Sequence, residues 1–128
     1  MRIRMGLVLV AGALALAACH DATVRGPQGQ SLTATTPRSM TLRRGENAPL
    51  QVGIDQDNFS GPVTVSISRL PRGVESDVNS QKVETTSATF SLRASKTADL
   101  VTDQAVLVTV EGLNGRTASQ YVDLSVKD

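Results

Sequence analysis

The feature that most constrains this chain is a period-two alternation that recurs from residue 31 to the end. Leu50, Val52 and Ile54 alternate with Gln51, Gly53 and Asp55, and Val63, Val65 and Ile67 alternate with Thr64, Ser66 and Ser68. Phe90 and Leu92 alternate with Ser91 and Arg93; Val122, Leu124 and Val126 alternate with Tyr121, Asp123, Ser125 and Lys127. Successive side chains of a strand point to opposite faces, so each run has one apolar and one polar face. Residues 105–110 are apolar or β-branched throughout, which reads as a central strand with little solvent on either face. No segment beyond residue 30 has helical periodicity.

Turn chemistry separates the runs at the 8–12-residue rhythm of a β-sandwich. Arg44-Gly45-Glu46-Asn47 and Asp57-Asn58-Phe59-Ser60-Gly61 are turn-rich. Leu70-Pro71-Arg72-Gly73 has Pro second and Gly fourth, the type I preference, after which Val74 can re-enter the core. Asn114-Gly115 predicts a two-residue hairpin, because a primed turn needs positive φ at both central positions. About seven strands result: 32–35 with 40–43, broken at Pro37 where a switch between sheets is natural, then 48–55, 63–68, a short one near 82–84, 88–94, 104–111 and 118–127.

Composition removes several function classes. Thirteen Lys and Arg against twelve Asp and Glu leave a formal charge of +1, with no cationic footprint for nucleic acid. No Trp, one Tyr and two Phe give almost no material for sugar or base stacking. One Cys and one His forbid an intramolecular disulfide and a multi-histidine metal cage.

Residues 1–18 have the pattern of an export signal: Arg2 and Arg4, then an uncharged apolar run from Gly6 to Ala18. As a helix those 13 residues would span about 20 Å against a hydrocarbon thickness of about 30 Å, too short for a permanent transmembrane segment. The run ends in Leu16-Ala17-Ala18-Cys19, which resembles the lipobox of bacterial lipoproteins. That resemblance covers the first 19 residues and implies diacylglyceryl attachment to the Cys19 thiol, cleavage between Ala18 and Cys19, and acylation of the new amino group with a fatty acid such as palmitate. Loss of residues 1–18, with Arg2 and Arg4, would turn the formal charge from +1 to −1. His20 rather than Asp follows the cysteine, which in the enteric sorting rule favours the outer over the inner membrane. Residues 19–30, with Gly26, Pro27 and Gly29, have the composition of a flexible tether, with His20 a solvated linker residue.

Within residues 31–128, Phe59-Ser60-Gly61-Pro62-Val63-Thr64-Val65-Ser66, then Leu70-Pro71-Arg72-Gly73-Val74 and Ala88-Thr89-Phe90-Ser91-Leu92, resemble bacterial extracellular immunoglobulin-like modules. The resemblance implies an all-β, antiparallel immunoglobulin-like sandwich after a helical signal peptide and short tether, and leaves function open.

Site chemistry is sparse. A hydrolytic triad needs a His in a cleft, and nucleophilic Cys chemistry is lost on lipidation, so no enzyme and no cofactor is expected. Asp55, Asp57 and Asn58 could offer oxygens to calcium, as could Asp99 and Asp103. None belongs to an ordered Asp-x-Asp-x-Asp-Gly loop, and solvated turns are the simpler reading. Arg38, Arg43 and Arg44 form a small basic patch of the kind that protects edge strands. Phe59 and Tyr121 are the candidate partner contacts. The expectation is a non-enzymatic envelope lipoprotein, held at a membrane through Cys19, whose domain contacts another envelope or surface protein or acts as a spacer. The alternative is a surface binder of a small ligand, sugar or calcium, or an enzyme inhibitor.

Overall fold

The computed structural model describes residues 19–112 and 115–128. Ten strands account for its regular structure: β1 (Cys19–Arg25), β2 (Ser31–Pro37), β3 (Ser39–Arg43), β4 (Asn47–Asp57), β5 (Val63–Ser68), β6 (Val74–Ser76), β7 (Ser80–Val83), β8 (Ser87–Ala94), β9 (Val101–Gly112) and β10 (Arg116–Lys127). They form two five-stranded sheets, ordered β1-β2-β4-β8-β6 and β3-β10-β9-β5-β7. Every pairing is antiparallel except β3 with β10, which run parallel from Ser39↔Asp123 to Arg43↔Lys127. This is an all-β, two-sheet sandwich.

The alternation in the sequence becomes the interior. Leu50, Val52 and Ile54 of β4, Val63, Val65 and Ile67 of β5, Phe90 and Leu92 of β8, and Val122, Leu124 and Val126 of β10 all lie in one buried cluster. Phe90, its largest member, is fully buried opposite Leu50. At the end of β2 the chain leaves one sheet and enters the other as β3, with Arg38 as the link. Pro37 suits that point: its only ladder partner is Cys19, since pairing of β2 with β4 ends at Thr35↔Gly53, and its missing N–H leaves no interior bond unmade.

Four expectations need correction. Residues 19–25 are not a tether but β1, paired with β2 from Cys19↔Pro37 to Arg25↔Ser31. Only residues 26–30, with Gly29 at φ +80°, make a turn. The face of β1 bearing His20, Ala22 and Val24 is half-buried, and Ala22 and Val24 pack on the core. Second, β9 is buried on one face only: Val106, Val108 and Val110 point inward, while Ala105 is exposed and Leu107 and Thr109 are half-buried. Third, the turn after β5 is shifted by one residue. The Val74 N–H donates to the Pro71 carbonyl at 3.0 Å, and Gly73, third in that turn, has φ +90°, a value that type II turns require at this position and type I turns do not. Fourth, the register partners Gly112 and Arg116 leave a connection longer than two residues. Asn114 lies outside the described residues. The short strand expected near 82–84 is β7, and β6 adds a further strand.

Candidate functional site

Cys19 opens β1. It is exposed, as are Asp21, Thr23 and Arg25, which alternate with the half-buried His20, Ala22 and Val24. The ladder to β2 fixes its backbone. The Thr23 and Thr33 hydroxyls meet at 2.8 Å across the same pair, and His20 Nε2 lies 2.9 Å from the Tyr121 main-chain oxygen in the other sheet. A carbonyl can only accept, so Nε2 carries the proton. His20 is therefore a clasp between the sheets rather than a solvated linker residue. The apolar run and Ala18, on the far side of the expected cleavage point, lie outside the described residues.

The two aromatic candidates are placed apart. Tyr121 is 44% exposed and pairs with Leu107 in mid-strand, with the Arg69 guanidinium 5.9 Å from its ring centroid, within cation–π range. Phe59 lies in the connection between β4 and β5, half-buried against the core. It lines a recess of about 550 Å³ with Pro62, Thr64, Lys82 and Glu111. Lys82, Thr64 and Glu111 are successive register partners on β7, β5 and β9, so a cation and an anion flank a hydroxyl about two strand spacings, some 10 Å, apart. Thr117, the partner of Glu111, lies about 13 Å along β10 from Tyr121.

The calcium candidates do not converge. Asp55 and Asp57 are exposed on β4, while the Asn58 amide donates to the Gly29 carbonyl at 3.1 Å and so ties the turn after β1 to the connection after β4. Asp99 accepts from Arg72 at 3.0 Å, and that carboxylate raises the Arg72 pKa, first through the hydrogen bond and then through its charge. Among the described residues no group of three or more His, Cys, Asp or Glu could hold a metal ion. No helix among them is long and apolar enough to cross a membrane.

Sequence reasoning missed the position of the basic residues relative to Cys19. Arg38 links β2 to β3 beside the Cys19↔Pro37 pair, and Arg25 and Arg43 are exposed on the two strands that share this edge. No protein-family model matches the chain, and no curated protein matches it.

Proposed function

We propose that this chain is a non-enzymatic lipoprotein of the bacterial cell envelope, anchored through acylated Cys19, that displays an immunoglobulin-like sandwich for contact with another envelope protein or as a spacer. The observation that carries the reading is the sole cysteine, exposed, closing Leu16-Ala17-Ala18-Cys19. Two or three acyl chains at that sulfur and the adjacent amino group hold a protein stably at a bilayer, where one chain is marginal. His20 after the cysteine favours the outer membrane. The immunoglobulin-like assignment draws support from the chain's sheet switch after β2 and its return as β3 parallel to the last strand. Cys19→Ala should yield an uncut or soluble product in cell fractionation; unchanged membrane retention and mature mass would refute the anchor.

A second reading, a surface binder of a small ligand or sugar, draws on the recess beside Phe59. In its calcium version, millimolar calcium should raise the melting temperature, and an unmoved midpoint removes it.

A further inference from the structure

The sandwich has two long edges of opposite character. One is made by β1 and β3, brought together by the sheet switch at Arg38 and by the His20–Tyr121 contact. The other is made by β6 and β7, which follow each other through residues 77–79. On the first edge the charged residues are Arg25, Arg38 and Arg43 against Asp21 and against Glu46, whose carboxylate accepts from the Arg43 N–H at 3.0 Å, with His20 between the sheets. On the second they are Glu75, Asp77 and Glu84 against Lys82, with the exposed Arg93 of β8 directly opposite Glu75. Arg43 also donates to the Asp128 main-chain oxygen at 2.9 Å, whereas neither Arg25 nor Arg38 has an ion pair among the described residues. Where β10 borders this edge, Lys127 and Asp123 offset one another, and Arg44 faces Asp128 at 3.8 Å. In the first sheet β1 and β6 are the outermost of five strands, about 19 Å apart at the usual strand spacing. That is roughly two screening lengths at physiological salt, so a charged surface touching one edge barely acts on the other.

We propose that the β1–β3 edge is the lipid-facing edge of the domain: it sits directly on the anionic headgroups of the membrane, with the β6–β7 edge turned away. This rests on the reading of Cys19 as the lipid anchor. Residues 1–18 lie outside the described structure and end next to Cys19, which is already a paired strand residue. An acyl-bearing sulfur there has no stalk behind it. The thioether must lie at the membrane interface, and the ladder with β2 brings Thr36, Pro37 and Arg38 with it. The basic side chains on the same edge then meet anionic headgroups, while the acidic edge is carried out of their reach. Cationic clusters beside a membrane anchor are attracted in this way, and the attraction fades within a screening length. The acidic β6–β7 edge would face outward, accessible to a protein partner.

The test uses the full chain, purified in its acylated form and reconstituted into vesicles of phosphatidylcholine and phosphatidylglycerol containing a lipid with a nitroxide on its headgroup. A fluorophore is placed on a new thiol at Thr41→Cys in β3 or at Ser80→Cys in β7, both exposed positions. Thr23→Cys and Val78→Cys, also exposed, form a second pair in case one variant fails to fold. Headgroup quenching several-fold stronger at 41 than at 80, and at 23 than at 78, is the expected result. Equal quenching within the pairs, or the reverse order, overturns the seating while an acyl mass on Cys19 leaves the anchor intact. An unmodified Cys19 mass removes the anchor and the seating together.

Discussion

His20 Nε2 approaches the Tyr121 carbonyl oxygen to 2.9 Å, joining the first strand of one sheet to the last strand of the other. Tyr121 needs that donor because β3 pairs with β10 only from Asp123 onward. Above that point the β10 main chain is met by side chains: His20 at the carbonyl, and the Gln120 amide oxygen accepting from the Tyr121 N–H at 3.2 Å. No residue of β1 is fully buried, so its adherence depends on the ladder to β2 and on a few such contacts. His20→Ala should weaken β1 by about 1 kcal/mol, the net value of one hydrogen bond. Hydrogen exchange should then quicken several-fold at residues 20–25 and stay unchanged in β8, since local openings of a peripheral strand need not involve the core.

Most of the core was legible because alternation over five or more residues has one physical meaning. Phe90 and Leu92, or Val63, Val65 and Ile67, cannot all be buried except on one face of a strand. β1 escaped notice because its inward positions are His20, Ala22 and Val24, a weak apolar signal beside the glycines and proline of residues 26–29. Its pairing comes from β2, not from its own composition. β6 has three residues, too few to display a period. The neighbourhood of Cys19, Arg38 and Tyr121 depends on which strands share an edge, and that order is a property of the whole sheet.

Gly73 should not tolerate a side chain. Its φ of +90° is reached by other residues only under strain, and a Cβ there would come within 2.5 Å of the Ala98 Cα and 2.7 Å of its Cβ. Gly115 has nearly the same φ, +88°, but a Cβ there meets nothing within 4 Å. Gly115→Ala therefore measures the backbone cost alone, about 1–2 kcal/mol. Gly73→Ala adds a backbone clash and should lose clearly more, about 3 kcal/mol or above. Urea midpoints of the two variants would decide it; equal losses would mean that the contact with Ala98 is relieved cheaply.

Asp77 makes stability depend on acid. Its carboxylate oxygen Oδ1 accepts from the Ser91 N–H at 3.0 Å and the Val78 N–H at 2.9 Å, while the neighbouring Ser76 hydroxyl donates to the Val78 carbonyl at 2.6 Å. Its own N–H donates to the Ser91 carbonyl, so it extends the pairing of β6 with β8 by one residue. These bonds, the one from Ser91 foremost, favour the charged form and hold the pKa below its ordinary value of 3.8. A carboxylate whose pKa is depressed on folding contributes stability above its unfolded value, and that contribution is lost as pH falls through the folded one. Asp77→Asn should thus be less stable than the parent at neutral pH, and the gap should close as pH falls below about 4. Urea denaturation at pH 7 and pH 3 tests it: a gap of the same size at both would show that the charge is irrelevant.

Thr36 is the third inward residue of β2 after Leu32 and Ala34, and it is 1% exposed. Its hydroxyl is the one buried side-chain polar atom without a hydrogen-bond partner among the described residues. A buried unsatisfied hydroxyl carries a desolvation penalty of about 1–3 kcal/mol, and valine has nearly the same shape without it. Thr36→Val should raise stability by about 1 kcal/mol, seen as a higher urea midpoint at unchanged slope. Thr33→Val, on the opposite face of the same strand, should do the reverse, because it removes the partner of the Thr23 hydroxyl, a cross-strand contact of roughly 0.5 kcal/mol. The opposite signs follow from the alternation of β2: one face lacks a polar partner, and the other supplies one. A destabilised Thr36→Val protein would place a bound water or an unseen acceptor beside that hydroxyl.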